Sequence, residues 1–345
     1  MRLTPSAEQT AFAAALHDLL AATPPAPFRP LWARLAEIGV TGLAVPAQRG
    51  GLGASPADLV VAAEELGHHA VPGPLAESLA AVPTLLAALD LAAPGLATPG
   101  LATPDLATPG LAVRNLAAPD AAGRWLGDLA AGRIVATLAA PPWLPFAADA
   151  DAADLVLMAD GGTAGRARPG VRAHPSFDRT RRLFEVSAAG ALTACPAAGR
   201  ALDLGALVCA AQLLGAGRAL LEATVTHART RQQFGGPIGR FQAVAFKCAD
   251  MALAVENARN LTYKAAWLRD HGKPHRQAAA MAKLYSSEVA VTATREAVQI
   301  HGGYGFMEDS PVSRLYRDAK ILEIGEGTSE VQRLVIGRGL GLPLE

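Results

Sequence analysis

Three stretches decide how this chain reads: Arg231-Gln-Gln-Phe-Gly235, Gln299-Ile-His-Gly-Gly-Tyr-Gly305 and Arg317-Asp-Ala-Lys-Ile-Leu-Glu-Ile-Gly-Glu-Gly-Thr328. Each falls where a long run of helical apolar periodicity stops and glycine or a polar group takes over. Phe241, Val244, Ala245, Cys248, Met251, Ala252, Val255, Ala258 and Thr262 form one such stripe, about six turns long. A helix of that length needs neighbours of similar length. Runs over 202–226 and 277–299 supply them, so the last third reads as a bundle of long antiparallel helices, with a further helix from Ser329 to Gly339.

The breaks carry the chemistry. Arg231 offers a fork of donors for phosphate, Phe234 a flat face, and Gly235-Gly236 a close backbone approach. The same residues also suit an ordinary interhelical turn with a solvated arginine. Gly302-Gly303-Tyr-Gly305 would let backbone amides approach a pyrophosphate, although such a cluster also marks simple turns. Glu326 lies between two glycines just before the last helix, where Ser329 and Gln332 have capping-box spacing. The helix N-terminus favours an ionised carboxylate, and an apolar pocket opposes it. A base held between those influences is suited to taking a proton next to a carbonyl. A carboxylate there also serves merely to complement the helix dipole, and spacing alone leaves both open.

Working outward, the chain changes character twice. Helices are expected over 11–22, 31–38, 56–66 and 75–89, with Gly39 ending the second and Gly67 the third. Residues 91–119 repeat Leu and Pro every five positions, a period that fits neither helix nor strand and reads as an extended loop. Short apolar runs at 134–138, 155–158 and 183–186 are strand signals for a small β-domain over 124–197. The expected division is therefore 1–123 helical, 124–197 β and 198–345 helical. His68-His69 reads as a surface pair at the negative end of its helix. His301 has no His, Cys or acid at ligand spacing, so no metal site is expected.

Bulk properties exclude other classes. The 345 residues are 51% hydrophobic with a formal net charge of +0, a globular composition without the basic footprint of a nucleic-acid binder. Cys195, Cys209 and Cys248 are too scattered for a disulfide framework and read as buried small hydrophobes in a reducing compartment. The N-terminus has no apolar h-region, and no uninterrupted apolar run reaches about 18 residues. A cytoplasmic protein without a membrane span is expected.

The order RxQFG, QxxGGxG and RDAKIxxIxEGTxExQR resembles the C-terminal domain of acyl-CoA dehydrogenases. Trp32-Ala-Arg-Leu-Ala-Glu-Ile-Gly39, Pro46 to Gly53 and Glu64-Glu65-Leu-Gly67 resemble that family's opening helices. The resemblance implies an N-terminal helical domain, a middle β-domain and a C-terminal four-helix bundle, with FAD held between the middle domain and the bundle. It implies that Arg231, Gln233, Phe234, Gln299, Gly302 and Gly303 contact FAD across a subunit interface. It also implies that Glu326 is the base that removes the acyl α-proton, and that Thr328 and Glu330 lie beside the flavin. An acyl-CoA substrate and an electron-transfer flavoprotein as acceptor follow.

One departure matters. The middle region, Thr137-Leu-Ala-Ala-Pro-Pro142 and onward, lacks the family's Thr-Glu-Pro…Gly-Ser-Asp and Trp-x-Ile-Thr-Asn segments and spans some 75 residues. In this it resembles the short subunits of actinobacterial heterotetrameric (α2β2) dehydrogenases that shorten steroid side chains, which implies a longer partner holding most of the FAD. Gly325 stands where many relatives have Tyr, which would widen the pocket for a bulky acyl group. A self-sufficient homotetramer using Glu326 and a non-catalytic scaffold subunit are the competing expectations.

Overall fold

The computed structural model describes residues 3–23, 28–91, 121–160, 162–178 and 180–344. Almost all of the Leu/Pro array expected as a loop lies outside them. Four helical segments come first: α1 (Ala7–Ala21), α2 (Phe28–Glu37), α3 (Pro56–His68) and α4 (Val82–Leu91), the last preceded by a π-helical turn over Glu77–Ala81. Helix α5 (Ala121–Ala130) leads into a sheet of β1 (Ala136–Ala139), β2 (Phe146–Ala148), β3 (Leu155–Asp160), β4 (Thr163–His174), β5 (Leu183–Ala188) and β6 (Thr193–Ala194). Then come α6 (Ala198–Thr230), the two-residue strands β7 (Gln232–Gln233) and β8 (Gly236–Pro237), α7 (Gln242–Asp270), α8 (Arg276–His301), α9 (Pro311–Ile324) and α10 (Ser329–Gly339). This is the helical–β–helical fold that the sequence motifs implied.

Caps explain several boundaries. Ser6 and Gln9 close a capping box on α1, and Ser55 and Asp58 do the same on α3. Gly39 ends α2's connection with φ +82°, a conformation glycine adopts without strain. Gly67 does not end α3. It lies inside the helix, where a Cβ would sit 2.0 Å from the Gln212 carbonyl oxygen, and Gly215 faces α3 equally closely. The glycine there is a packing device that lets α3 and α6 cross at backbone contact; the chain turns at Ala70, with φ +47°.

The sheet runs β1-β3-β4-β5-β2, with β6 paired to β4. Strands β1 and β3 are parallel (Ala136 opposite Leu155), and the other pairs are antiparallel. Trp32 Nε1 donates to the Ile134 carbonyl at 2.9 Å and Thr41 Oγ1 to that of Ala130 at 2.8 Å, tying the first helices to the strand that follows α5. On the other side, the buried Glu64 of α3 receives Arg218 of α6 and both Arg259 and Tyr263 of α7.

Helix α6 has 33 residues and is the axis of the bundle, packed on α3, α7, α8 and α9. It is apolar and long enough to cross a membrane on composition alone, but 83% of its most apolar window is buried inside the protein. The stripe expected on α7 is buried only over Met251, Val255, Ala258 and Thr262. Phe241 and Ala245 are exposed, Val244 and Cys248 half-buried, and Phe246 and Leu253 point outward. The first turns of α7 run past the helices of this chain that would cover them.

Candidate active site and nucleotide cleft

Glu326 occupies a backbone position that nothing but its surroundings would hold. Its φ is +54°, left-handed for a residue with a side chain, and such a conformation costs on the order of 1–3 kcal/mol. Three groups fix the loop. Lys283, fully buried on α8, donates from Nζ to the carbonyls of Glu323 (2.6 Å) and Gly327 (2.7 Å). Gln332 Nε2 donates to the carbonyls of Glu326 (3.0 Å) and Gly327 (3.2 Å). Cys209 Sγ lies 3.3 Å from the Leu322 carbonyl as its donor. The expected Ser329–Gln332 capping box is not formed. Thr328 is the N-cap of α10 and accepts from the Val331 amide, while the Gln332 side chain is spent on the Glu326 loop.

The carboxyl of Glu326 projects onto α6 at Gly205, where a Cβ would lie 2.6 Å from Oε2. It lines two small cavities. One, of about 90 Å³, is bordered by Trp143, Leu144, Leu202, Ala206 and Val331; the other, of about 70 Å³, by Glu77, Phe146, Arg181, Cys209 and Gly325. The residue is half-buried, and desolvation by burial is the main cause raising its pKa to about 8. The nearby Glu77 pushes it the same way, and Lys283 opposes both.

Glu77 is the second half of this arrangement. It is buried on the π-helical turn, a local widening often found at functional sites. Burial raises it to about 7; its own backbone amide and Arg181 oppose the rise and Asp149 adds to it. Two carboxyls that interact in this way titrate as a pair, between about 7 and about 8. Arg181 does not neutralise them outright. Its guanidinium is tied to Asp318 of α9 (Nε to Oδ1, 2.7 Å) and to the Gly73 carbonyl (3.0 Å), and is itself buried. The arrangement can hold and move one proton in an apolar, water-poor space.

The other predicted residues lie elsewhere. A cleft of about 460 Å³ at the end of α6 and α8 is lined by Arg231, Gln233, Gly302, Gly303, His227 and Tyr304, among others. Gln299 and Phe234 do not line it; both are exposed, Phe234 83% so, with φ +51°. Arg240 donates to the carbonyls of Gly235 and Phe234 and holds the β7–β8 hairpin that carries them. Gly302 has φ +62°, and among the described residues no atom lies within 4 Å of a Cβ added at Gly302 or Gly303, so their backbone faces open space. Arg231, the extended residue that directly follows α6, brings charge to that opening. Phe306, Tyr304 and Met307 stand exposed around it. Thr328 and Glu330 belong to the Glu326 cluster instead. Glu330 is fully exposed at the start of α10, and its own backbone amide and the Thr328 hydroxyl lower its pKa.

Sequence reading missed Glu77, Gly205, Lys283 and His227. Three have no local signature. His227 had one, its offset of four from Arg231 at a helix end, and it stacks on His301 at 4.3 Å between centroids. His68 and His69 are not a surface pair. Both are partly buried and packed against His17.

Comparison with known proteins follows the same division. The family models described as "Acyl-CoA dehydrogenase, N-terminal domain" and "Acyl-CoA dehydrogenase, C-terminal domain" match residues 7–93 and 195–341, and a GLTT repeat model matches 86–112. The mitochondrial short-chain specific acyl-CoA dehydrogenase of Bos taurus is 53% identical over 135 residues, 39% of this chain and 33% of that protein. The matched part of the chain thus spans about a third of the length of such curated relatives. Among solved structures, butyryl-CoA dehydrogenase from Megasphaera elsdenii superposes with a TM-score of 0.78 at 27% identity, covering 99% of this chain and 100% of that one. The ChsE4–ChsE5 complex from Mycobacterium tuberculosis shares the fold, with a TM-score of 0.77 at 23% identity over 100% of both chains.

Proposed function

The chain belongs to the acyl-CoA dehydrogenase family, and on that premise we propose that it carries out FAD-dependent α,β-dehydrogenation of an acyl-CoA thioester with Glu326 as the base. The observation that carries this reading is the pinned, left-handed Glu326, whose carboxyl is enclosed, raised to about 8 and backed by glycine at position 205. A base near neutrality gains most from general catalysis, because it is both available and strong enough to take a weakly acidic proton.

Residues of this chain fit part of an FAD. The cleft at Arg231, with unobstructed backbone at Gly302 and Gly303, suits the pyrophosphate part of a dinucleotide. It opens outward among exposed aromatic residues, the arrangement expected if it grips a nucleotide held mainly by a neighbouring subunit. Beside Glu326 the β-domain contributes Trp143, Leu144, Phe146 and Ala148 as apolar walls of the two small cavities. FAD held with a neighbouring subunit would supply the acceptor for the hydride from the β-carbon. Glu326 receives the α-proton, Gly205 leaves space for its carboxylate, and Lys283 and Gln332 keep the loop still while charge shifts.

The two cavities beside Glu326, about 90 and 70 Å³, are well below the ~300–1,000 Å³ that holds a drug-sized ligand. They suit a short acyl chain, the class named for the bovine relative. A second reading keeps the steroid side-chain ester and the longer α2β2 partner. It is favoured by the small β-domain and by Gly325 at the cavity wall, which would open once a partner completed the site.

The test uses the purified chain with FAD and butyryl-CoA, with an electron-transfer flavoprotein as acceptor. Glu326→Gln should lower turnover by roughly 10²–10⁴-fold while flavin content is unchanged; an unaltered rate would exclude Glu326 as the base. Stoichiometric yellow flavin on the isolated chain would support self-sufficiency. Flavin and activity appearing only on mixing with a longer subunit would support the second reading.

A further inference from the structure

The C-terminal turns of α3 carry Glu65, His68 and His69, at i, i+3 and i+4, on one face of the helix. Helix α1 brings His17 against them from 48 residues away. One atom from each of the four side chains, imidazole nitrogen or carboxylate oxygen, can be chosen so that all lie within 4.8 Å of one another. His17 Nδ1 is 3.0 Å from Glu65 Oε2 and 3.1 Å from His69 Nε2. These spacings are close to the ~3.3 Å edge of a tetrahedron built on metal–nitrogen bonds of about 2.0–2.1 Å.

Protons alone serve this arrangement poorly. A ring nitrogen has a single in-plane valence, either a hydrogen or a lone pair. If His17 Nδ1 carries hydrogen, it can donate to Glu65 but then meets His69 Nε2 off that axis. If it is bare, it can accept from His69 but faces the carboxylate lone pairs of Glu65. His68 adds a second unmet need: its Nε2 lies 2.9 Å from Glu222 Oε2, while its buried Nδ1 has no hydrogen-bond partner among the described residues.

We infer that His17, Glu65, His68 and His69 form a binding site for a single divalent metal ion of the zinc class, clasping α1 onto α3. Three imidazoles and one carboxylate are a borderline donor set of the kind zinc accepts. The surroundings supply the outer contacts such sites use to orient their ligands. Arg218 Nη2 holds the other oxygen of Glu65 at 2.7 Å, and Glu222 takes the far nitrogen of His68. The charged groups nearby are balanced, with Glu64, Glu65 and Glu222 against Arg218, Arg259 and Arg314. The ion therefore meets no excess positive field. Sequence reading set no metal ligands because the fourth side chain comes from another helix.

The site is separate from the dehydrogenase reading and is tested by its own signal. The full chain, stripped with chelator, is titrated with Co²⁺. We expect binding of about one equivalent with the strong visible absorption of a tetrahedral ion, displaced by Zn²⁺. His17→Gln and His69→Gln should each weaken binding by at least about tenfold. Zn²⁺ should raise the melting temperature of the wild-type chain and leave that of His17→Gln unmoved. His17 is 41% exposed, so its replacement should leave a folded chain. Absence of binding, a weak octahedral spectrum, or equal affinity in the wild type and both variants would overturn the inference.

Discussion

The pocket at Glu326 and the cleft at Arg231 belong to one chain, yet they are built on opposite rules. The first is closed: its acid is enclosed, its loop is bonded from three sides, and its titration is set by burial and a second carboxyl. The second is open: its arginine, glycines and aromatic side chains face outward, and its polar groups wait for something to meet them. A site that moves a proton gains from excluding water, because charge interactions are strong there. A site that lends a grip to another molecule must keep its donors accessible.

The contrast can be broken most forcefully at Gly205. Gly205→Ala places a methyl 2.6 Å from Glu326 Oε2, so the carboxylate must move. Displacements of about 1 Å at a reacting group cost on the order of 100-fold, and kcat should fall by that much. Flavin content should not change; if it falls equally, the two sites are not independent. Lys283→Met removes the two hydrogen bonds that Nζ donates to the Glu326 loop. Unfolding by urea should show a loss of roughly 2 kcal/mol, within the range for stranding buried polar groups. Because Lys283 holds the Glu326 pKa down, the midpoint of the rate–pH curve should also move up from about 8.

A smaller effect is expected in the open cleft. Arg231→Ala should weaken FAD retention by about tenfold, corresponding to one charged hydrogen bond, and leave the pH midpoint alone. Loss of flavin from an otherwise intact assembly would also exclude a pure scaffold. The mildest effect concerns pH. The Glu326 carboxyl is raised in the folded state, so between its unfolded value near 4.5 and about 8 the folded chain binds more protons than the unfolded one. Its contribution is fully present below about 4.5 and is lost as pH rises through 8, by on the order of 1 kcal/mol per pH unit at most. Glu326→Gln should flatten that slope in thermal melts taken from pH 5 to 9.

How much of this was visible beforehand depended on whether a residue's partner was nearby in sequence. The helix breaks at Arg231, Gly302 and Glu326 were legible because glycine, charge and the end of a periodic run coincide there. The strands were found at 155–158 and 183–186, within the observed β3 and β5. Lys283 was invisible, since a lysine in a helix ordinarily points to solvent, and only the fold reveals two carbonyls awaiting it. Capping was misjudged by one position because Gln332 serves the base loop and leaves Thr328 as the cap. Periodicity placed an apolar face on α7 correctly but could not say whose surface would cover its first turns.

Helix α6 has one more consequence. Gly205, which seats the base, and Arg231, which enters the cleft, are separated by about 39 Å of helix axis. That is too far for both to attend the same reacting centre, so each chain would serve one centre with its acid and lend its arginine to another. Function would then be divided between chains like a shared key. At limiting FAD, mixing Glu326→Gln chains with Arg231→Ala chains should give more turnover than either alone, from centres assembled from the intact half of each parent.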